Sequence, residues 1–187
     1  GSKKMPVILS TGMSSLADID ISIQALRDGG ATDITLLHCT TSYPCVFENV
    51  NLNAMNTIRV AFKLPVGYSD HTLGNTVAVA AVAMGATVLE KHFTLNKNME
   101  GPDHKASADP EEFKAYVKAI RDIEAAMGDG RKLPTNIEKE ISKVVLKRIV
   151  AKKPIVEGQI ITGADICVKR NDVGMPCEKW DRSEEHT

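Results

Sequence analysis

The sequence predicts an α/β fold: a parallel sheet flanked by helices over residues 1–130, then a linker and a smaller β-rich module. Three observations predict it. Short β-branched or apolar runs alternate with helical stretches, with strand starts about 20–30 residues apart, the rhythm of βα units. The runs are apolar at successive positions, as strands buried on both faces require. Polar residues gather where each run ends. Closed βα barrels and open doubly wound sheets both carry their active sites at those carboxyl ends.

In chain order, the first strand is expected at 6–11 (PVILST) and the first helix at 17–28, stopped by Gly29-Gly30. A second strand at 34–40 (ITLLHCT) leads to a helix at 51–62. The third strand, 65–70 (PVGYSD), leads to the apolar helix 75–84, stopped by Gly85. The fourth, 86–92 (ATVLEKH), leads through a long loop to a helix at 110–127. There Asp109 can cap, Pro110 suits the first turn, and Glu111 and Glu112 face the positive end of the helix dipole. No GxGxxG or GxxxxGK[ST] fingerprint supports a nucleotide-binding open sheet. Four units are half of a closed eight-stranded barrel, so the chain reads as a fragment, as one half of an assembly, or as another fold. Residues 131–142 are polar and read as a linker. Residues 143–181 hold β-rich runs around a Glu157-Gly158 turn. Residues 182–187 (RSEEHT) are what a common sequencing-adapter string would encode, and are expected to be a non-native tail.

Composition excludes several classes. The 187 residues are 43% hydrophobic and 25% charged, with a net charge of −1, so neither nucleic acid nor an anionic membrane is the expected partner. The mild imbalance, 11 basic and 15 acidic residues in 1–130 against 12 and 9 in 131–187, is too small for a nucleic-acid tail. No apolar run approaches a membrane span, and GSKKMP has no signal-peptide core. Cys39, Cys45, Cys167 and Cys177 form no CxxC pair and are expected as free thiols of a reducing cytoplasm.

The candidate chemistry lies at the strand ends. His71 follows VGYSD and His92 follows VLEK, each ending one of two consecutive strands. Neighbouring strands lie about 4.8 Å apart, so two such imidazoles can face one space and share a divalent ion. Strand-end histidines bonded only to backbone are the plainer alternative. Asp103 sits in the loop EGPDHKAS, where Gly101-Pro102 makes a stiff turn that can aim it over the strand ends; it is equally at home capping a turn. His104 and Lys105 share that loop. Ser10, Thr11 and Gly12 could hold a phosphate or carboxylate, and Ser69 and Tyr43 could line a polar ligand, each a weak signal alone. Cys39 has no evident acid–base partner. Met55 and Met84 read as core fillers on helices.

Taken together, PVILSTGM, LLHCTTSYP, NLNAM, VGYSDHTLG, VLEKHFTLNKNMEGPDHKAS and the following PEEF helix resemble the sialic acid synthases, the phosphoenolpyruvate-dependent synthases of nonulosonic acids such as N-acetylneuraminate and legionaminate. The resemblance runs to about residue 181, and the segment from about 144 resembles the antifreeze-like SAF domain that ends these enzymes. It implies the C-terminal four βα units of a TIM (β/α)8 barrel, a linker and a partial SAF domain. It implies a cytoplasmic enzyme that condenses phosphoenolpyruvate with an acetamido sugar, N-acetylmannosamine or a 2,4-diacetamido-6-deoxy hexose, and releases phosphate. By resemblance His71 and His92 bind the metal, usually Mn²⁺, and act with Asp103 in catalysis. Ser10 and Ser69 contact phosphoenolpyruvate, and Tyr43 and Asp103 face the acceptor sugar. Arg170 matches the SAF arginine that enters the partner subunit's site in a domain-swapped homodimer. The family's first four βα units, with a glutamate and lysines of the phosphoenolpyruvate site, have no counterpart here, so this chain is expected to be inactive alone. Two alternatives stand beside this reading: another phosphoenolpyruvate aldol-type synthase using a phosphorylated aldose, and a non-catalytic SAF-type carbohydrate-binding module.

Overall fold

The structure, a computed structural model, describes residues 3–180, so the expected tail at 182–187 lies outside the described residues. The chain divides into two compact units, with the boundary after Gly130.

The first unit is built on four strands: β1 (Val7–Ser10), β2 (Ile34–Cys39), β3 (Val66–Asp70) and β4 (Leu89–Lys91). They pair in parallel in the order β1-β2-β3-β4. Between and after them run α1 (Leu16–Asp28), α2 (Asn53–Phe62), α3 (Thr76–Ala83) and α4 (Pro110–Met127). Spatial order follows chain order without reversal. An open doubly wound sheet binds its ligand where strand order reverses, and these strands have no such point. A singly wound parallel sheet is the half-barrel arrangement. β4 is shorter than the 86–92 expected, because it has β3 on one side only and its ladder ends at Asp70↔Lys91.

The core lies between the sheet and α1 and α2. Ile19 and Ile23 of α1 and Met55 and Ile58 of α2 close over Leu36, Val66 and Tyr68. A second cluster, Ala78, Tyr116 and Ile120, joins α3 to α4. The helix ends follow capping chemistry. Ser15 and Asp109 each accept a backbone N–H three residues on, and Asp18 and Glu112 return the bond. Helix α2 has no glycine to stop it; Lys63 takes the left-handed conformation instead, at φ 52°. Gly67 is required by close approach: a Cβ there would run into the Val88 carbonyl and stand 2.6 Å from Leu37 Cδ2. Among the described residues no helix is long and apolar enough to cross a membrane.

The second unit holds a three-stranded antiparallel sheet in the order β6-β5-β7: β5 (Lys147–Ala151), β6 (Ile166–Arg170) and β7 (Met175–Pro176). Ile149 and Ile166 are its buried apolar residues. The Glu157-Gly158 turn is present, with Gly158 at φ 81°, but the apolar pair Ile160-Ile161 after it forms no strand. The expected linker 131–142 carries much of a helix, α5 (Asn136–Val145). Its signal was a capping box: Thr135 accepts the Glu138 N–H, and the Glu138 carboxylate accepts the Thr135 N–H at 2.7 Å. Val144 and Val145, read with the β-rich run, close this helix, and the chain becomes extended at Leu146.

Two measurements check this description. Asp109→Ala should destabilise the chain to urea by about 1 kcal/mol, while Asp109→Asn, which still caps, should cost much less. The second concerns pH. Bonds from the Thr135 backbone and hydroxyl hold the Glu138 carboxyl below its ordinary range. Its folded pKa is therefore lower than its unfolded one, so its contribution is complete above the ordinary carboxylate pKa. That contribution disappears as pH falls through the depressed value. Acidification should fray the first turn of α5 in amide NMR spectra, and Glu138→Gln should remove that pH dependence.

Candidate active site

In a strand, side chains alternate between the two faces of the sheet, and the register decides which residues meet. Ser69 lies opposite Glu90 and Asp70 opposite Lys91. Ser69, His71, Glu90 and His92 therefore share one face, while Asp70 and Lys91 point to the other. From β1 and β2 the same inner face receives Ser10, Gly12, Cys39 and Thr41. These residues, with Tyr43, line an open cleft of about 260 Å³ at the carboxyl ends of the strands. Gly12 is needed there, since a Cβ would collide with Thr41 Oγ1 and stand 3.0 Å from Cys39 Sγ.

Three rings form the centre of the cleft. The His71 and His92 centroids are 5.3 Å apart, with the rings nearly perpendicular at 83°. Tyr43 stands against both, 4.2 Å from His71 and 5.1 Å from His92. His71 Nδ1 is 2.7 Å from the Thr40 carbonyl. A carbonyl only accepts, so in the neutral ring the proton sits on Nδ1 and Nε2 is bare. Ser69 Oγ donates to Glu90 Oε1 at 2.6 Å and lies 3.3 Å from His71 Nε2. With its single proton given to Glu90, Ser69 turns a lone pair toward the bare nitrogen. That arrangement is relieved by a cation or a donor placed between them. The donor set, two imidazoles with oxygen groups beside them, fits a divalent ion of the Mn, Fe, Co or Zn type. Among the described residues no three His, Cys, Asp or Glu side chains cluster as a complete metal cage.

Burial, then the nearby Cys39, Asp103 and Glu90, push the Tyr43 phenol above its ordinary value. It stays protonated and able to donate at neutral pH. Burial likewise raises the Cys39 thiol, which keeps it from acting as a thiolate nucleophile. Asp103 is exposed and is not part of the cleft lining, although its charge reaches Tyr43. Its backbone carbonyl accepts from the Ala106 and Ser107 amides and from Ser107 Oγ at 2.8 Å. His104 is held by Thr94 Oγ1 at 2.7 Å, and Lys105 is exposed. Arg170 is exposed on β6, in the second unit. Of the seven candidates, the cleft brings together Ser10, Tyr43, Ser69, His71 and His92.

Residues 1–132 match the NeuB family. The chain belongs to the NeuB family. It is 49% identical to the N,N'-diacetyllegionaminic acid synthase of Campylobacter jejuni over 177 residues, 94% of this chain and 53% of that protein. It is 37% identical to human N-acetylneuraminate-9-phosphate synthase, over 93% of this chain and 48% of that one. The crystal structure of the N-acetylneuraminic acid (sialic acid) synthetase of Leptospira borgpetersenii superposes with a TM-score of 0.66 at 34% identity, covering 74% of this chain and 48% of that one. The chain thus spans about half the length of the curated relatives it matches.

Within this NeuB-family cleft, Glu90 is the member that sequence reading passed over. It was visible as part of the polar Glu90-Lys91-His92 end, and i, i+2 alternation from His92 places it inward. The buried partnership of Asp70 with Lys91 had no comparable signal. The tautomer of His71 is directly measurable. Nitrogen-15 NMR of the metal-free chain, read at a pH where the ring is neutral, should show a protonated, exchange-protected Nδ1 and a bare Nε2.

Proposed function

We propose that the chain supplies the histidine-bearing half of a nonulosonic acid synthase, joining phosphoenolpyruvate to an acetamido sugar. The carbon–carbon bond forms between the phosphoenolpyruvate methylene carbon and the sugar's aldehyde carbon. Water supplies the remaining oxygen, and inorganic phosphate leaves. The observation that carries this reading is the meeting of Ser10, Tyr43, Ser69, His71 and His92 in one strand-end cleft of a NeuB-family chain. On the same reading, the first unit is the C-terminal half of a (β/α)8 barrel. The second is a partial SAF domain, and the complete enzyme is a domain-swapped homodimer.

His71, through its bare Nε2, and His92 would hold a divalent ion, with Mn²⁺ the expected metal. When bound, such an ion is a Lewis acid that polarises the acceptor's aldehyde. The chain's own groups do the rest. The Ser10 and Ser69 hydroxyls contact phosphoenolpyruvate. Tyr43, kept protonated, donates to a sugar oxygen over the two imidazoles. Asp103 accepts from a sugar hydroxyl at the outer rim. Arg170, offered by the partner copy's second unit, binds polar groups of the sugar and helps exclude water.

Two experiments test the proposal. Titration of the chain with Mn²⁺ should show a site that His92→Ala abolishes or weakens by at least tenfold, on the order of one lost ligand or its orientation; unchanged binding sinks the assignment. The chain alone should release no phosphate. Mixed with the N-terminal half of the Campylobacter relative, it should release phosphate from phosphoenolpyruvate only with an unphosphorylated acetamido sugar. Release that requires a phosphorylated aldose would instead favour a different aldol-type synthase.

A further inference from the structure

We propose that Lys91 is a positioning residue for the histidine cleft: from the opposite face of the sheet it grips the residues on both sides of His71. The inference rests on the reading that His71 and His92 hold a divalent ion together.

Asp70 is completely buried, and the Lys91 side chain is 5% exposed. Lys91 Nζ pairs with Asp70 Oδ2 at 3.3 Å and also donates to the Thr72 carbonyl. Asp70 Oδ1 accepts the Thr72 N–H at 2.9 Å and its hydroxyl at 2.7 Å. The Tyr116 ring, from α4, stands 5.5 Å from the ammonium and closes the site. One side chain of β4 therefore holds residues 70 and 72, and His71 is the residue between them. The residue after Lys91 is His92. Asp70↔Lys91 is the last paired rung of the β3–β4 ladder, so both histidines sit one residue past the point where backbone pairing ends. Beyond that rung the Cys45 N–H donates to the His71 carbonyl and the Ala108 N–H to the His92 carbonyl, each at 2.8 Å, so each strand end is held by its own loop. The Lys91 clamp is the bond that ties one end to the other and so sets how far apart the two imidazoles stand.

A buried ion pair is weak evidence for stability, since an apolar pair of similar volume packs as well. What an apolar pair lacks is direction. An ammonium bonded to a carboxylate on one side of His71 and to a carbonyl on the other defines where that residue's backbone lies. Groups that orient a ligand from outside the coordination sphere commonly matter about 10- to 100-fold in metal affinity.

The test uses Lys91→Met, which keeps the apolar stem, and the double variant Asp70→Asn with Lys91→Met, which removes both charges and so leaves none unpaired. Circular dichroism and urea unfolding establish that each is folded. Mn²⁺ affinity is read by titration, and the His71 ring by nitrogen-15 NMR without metal. The folded double variant should bind Mn²⁺ about 10- to 100-fold more weakly, and its His71 Nδ1–H should shift and exchange faster. Lys91→Arg, which keeps a donor for both partners, should retain most of the affinity. A folded double variant with an unchanged His71 signal and unchanged Mn²⁺ affinity overturns the proposal. Should the parent chain and His92→Ala bind Mn²⁺ alike, it is the two-histidine reading that fails, and the metal-free His71 signal still decides the role of Lys91.

Discussion

The contact on which the first unit's strand ends depend is the buried pairing of Asp70 with Lys91. It closes the β3–β4 ladder at the point where both strands turn into loops. Asp70 is fully buried and the Lys91 side chain nearly so, which leaves the carboxylate dependent on the ammonium beside it. The Thr72 amide and hydroxyl fill the other carboxylate oxygen, and Tyr116 covers the ammonium. Alternation then does the rest. Because Asp70 and Lys91 point toward the helices, their neighbours Ser69, His71, Glu90 and His92 must point into the cleft. One polar rung on the outer face thus orients four polar side chains on the inner face.

The cleft that results is chemically graded. Its floor carries a bare imidazole nitrogen, a serine oxygen and a carboxylate, a set that calls for a cation or a donor. Its wall is the half-exposed Tyr43 phenol, a donor at neutral pH whose ordinary value is pushed further up by its surroundings. The exposed Asp103 lies outside this lining, with its charge reaching Tyr43. The chain belongs to the NeuB family, and the relatives it matches are named as synthases of N,N'-diacetyllegionaminic acid and N-acetylneuraminate 9-phosphate. The chain's span of about half those relatives agrees with a sheet whose first and last strands each have one paired edge.

The second unit is organised differently. Its antiparallel sheet centres on β5, with little apolar burial beyond Ile149 and Ile166. Much of its order comes from short-range polar closure: Asp165 accepts from Thr162 and pairs with Lys153 at 3.1 Å, and Thr135 and Glu138 cap α5. Small modules with a thin core lean on such local bonds.

Much of this was legible in the sequence. Strand–helix alternation, the capping box at Asp109, the glycine stops and the polar strand ends are local signals, carried by periodicity and by residue type, and they place His71 and His92 at neighbouring strand ends. Helix α5 was missed although its capping box is equally local, because a polar composition masked it. What only the tertiary structure decided are relations between strands. The rung that pairs Ser69 with Glu90, the tautomer that the Thr40 carbonyl imposes on His71, and the burial of Lys91 against Asp70 all depend on register. A one-residue slip would exchange the two faces of a strand without altering a single local preference. That is why the sequence by itself determined the elements and the residue types at their ends, while packing across the sheet determined which of those residues meet.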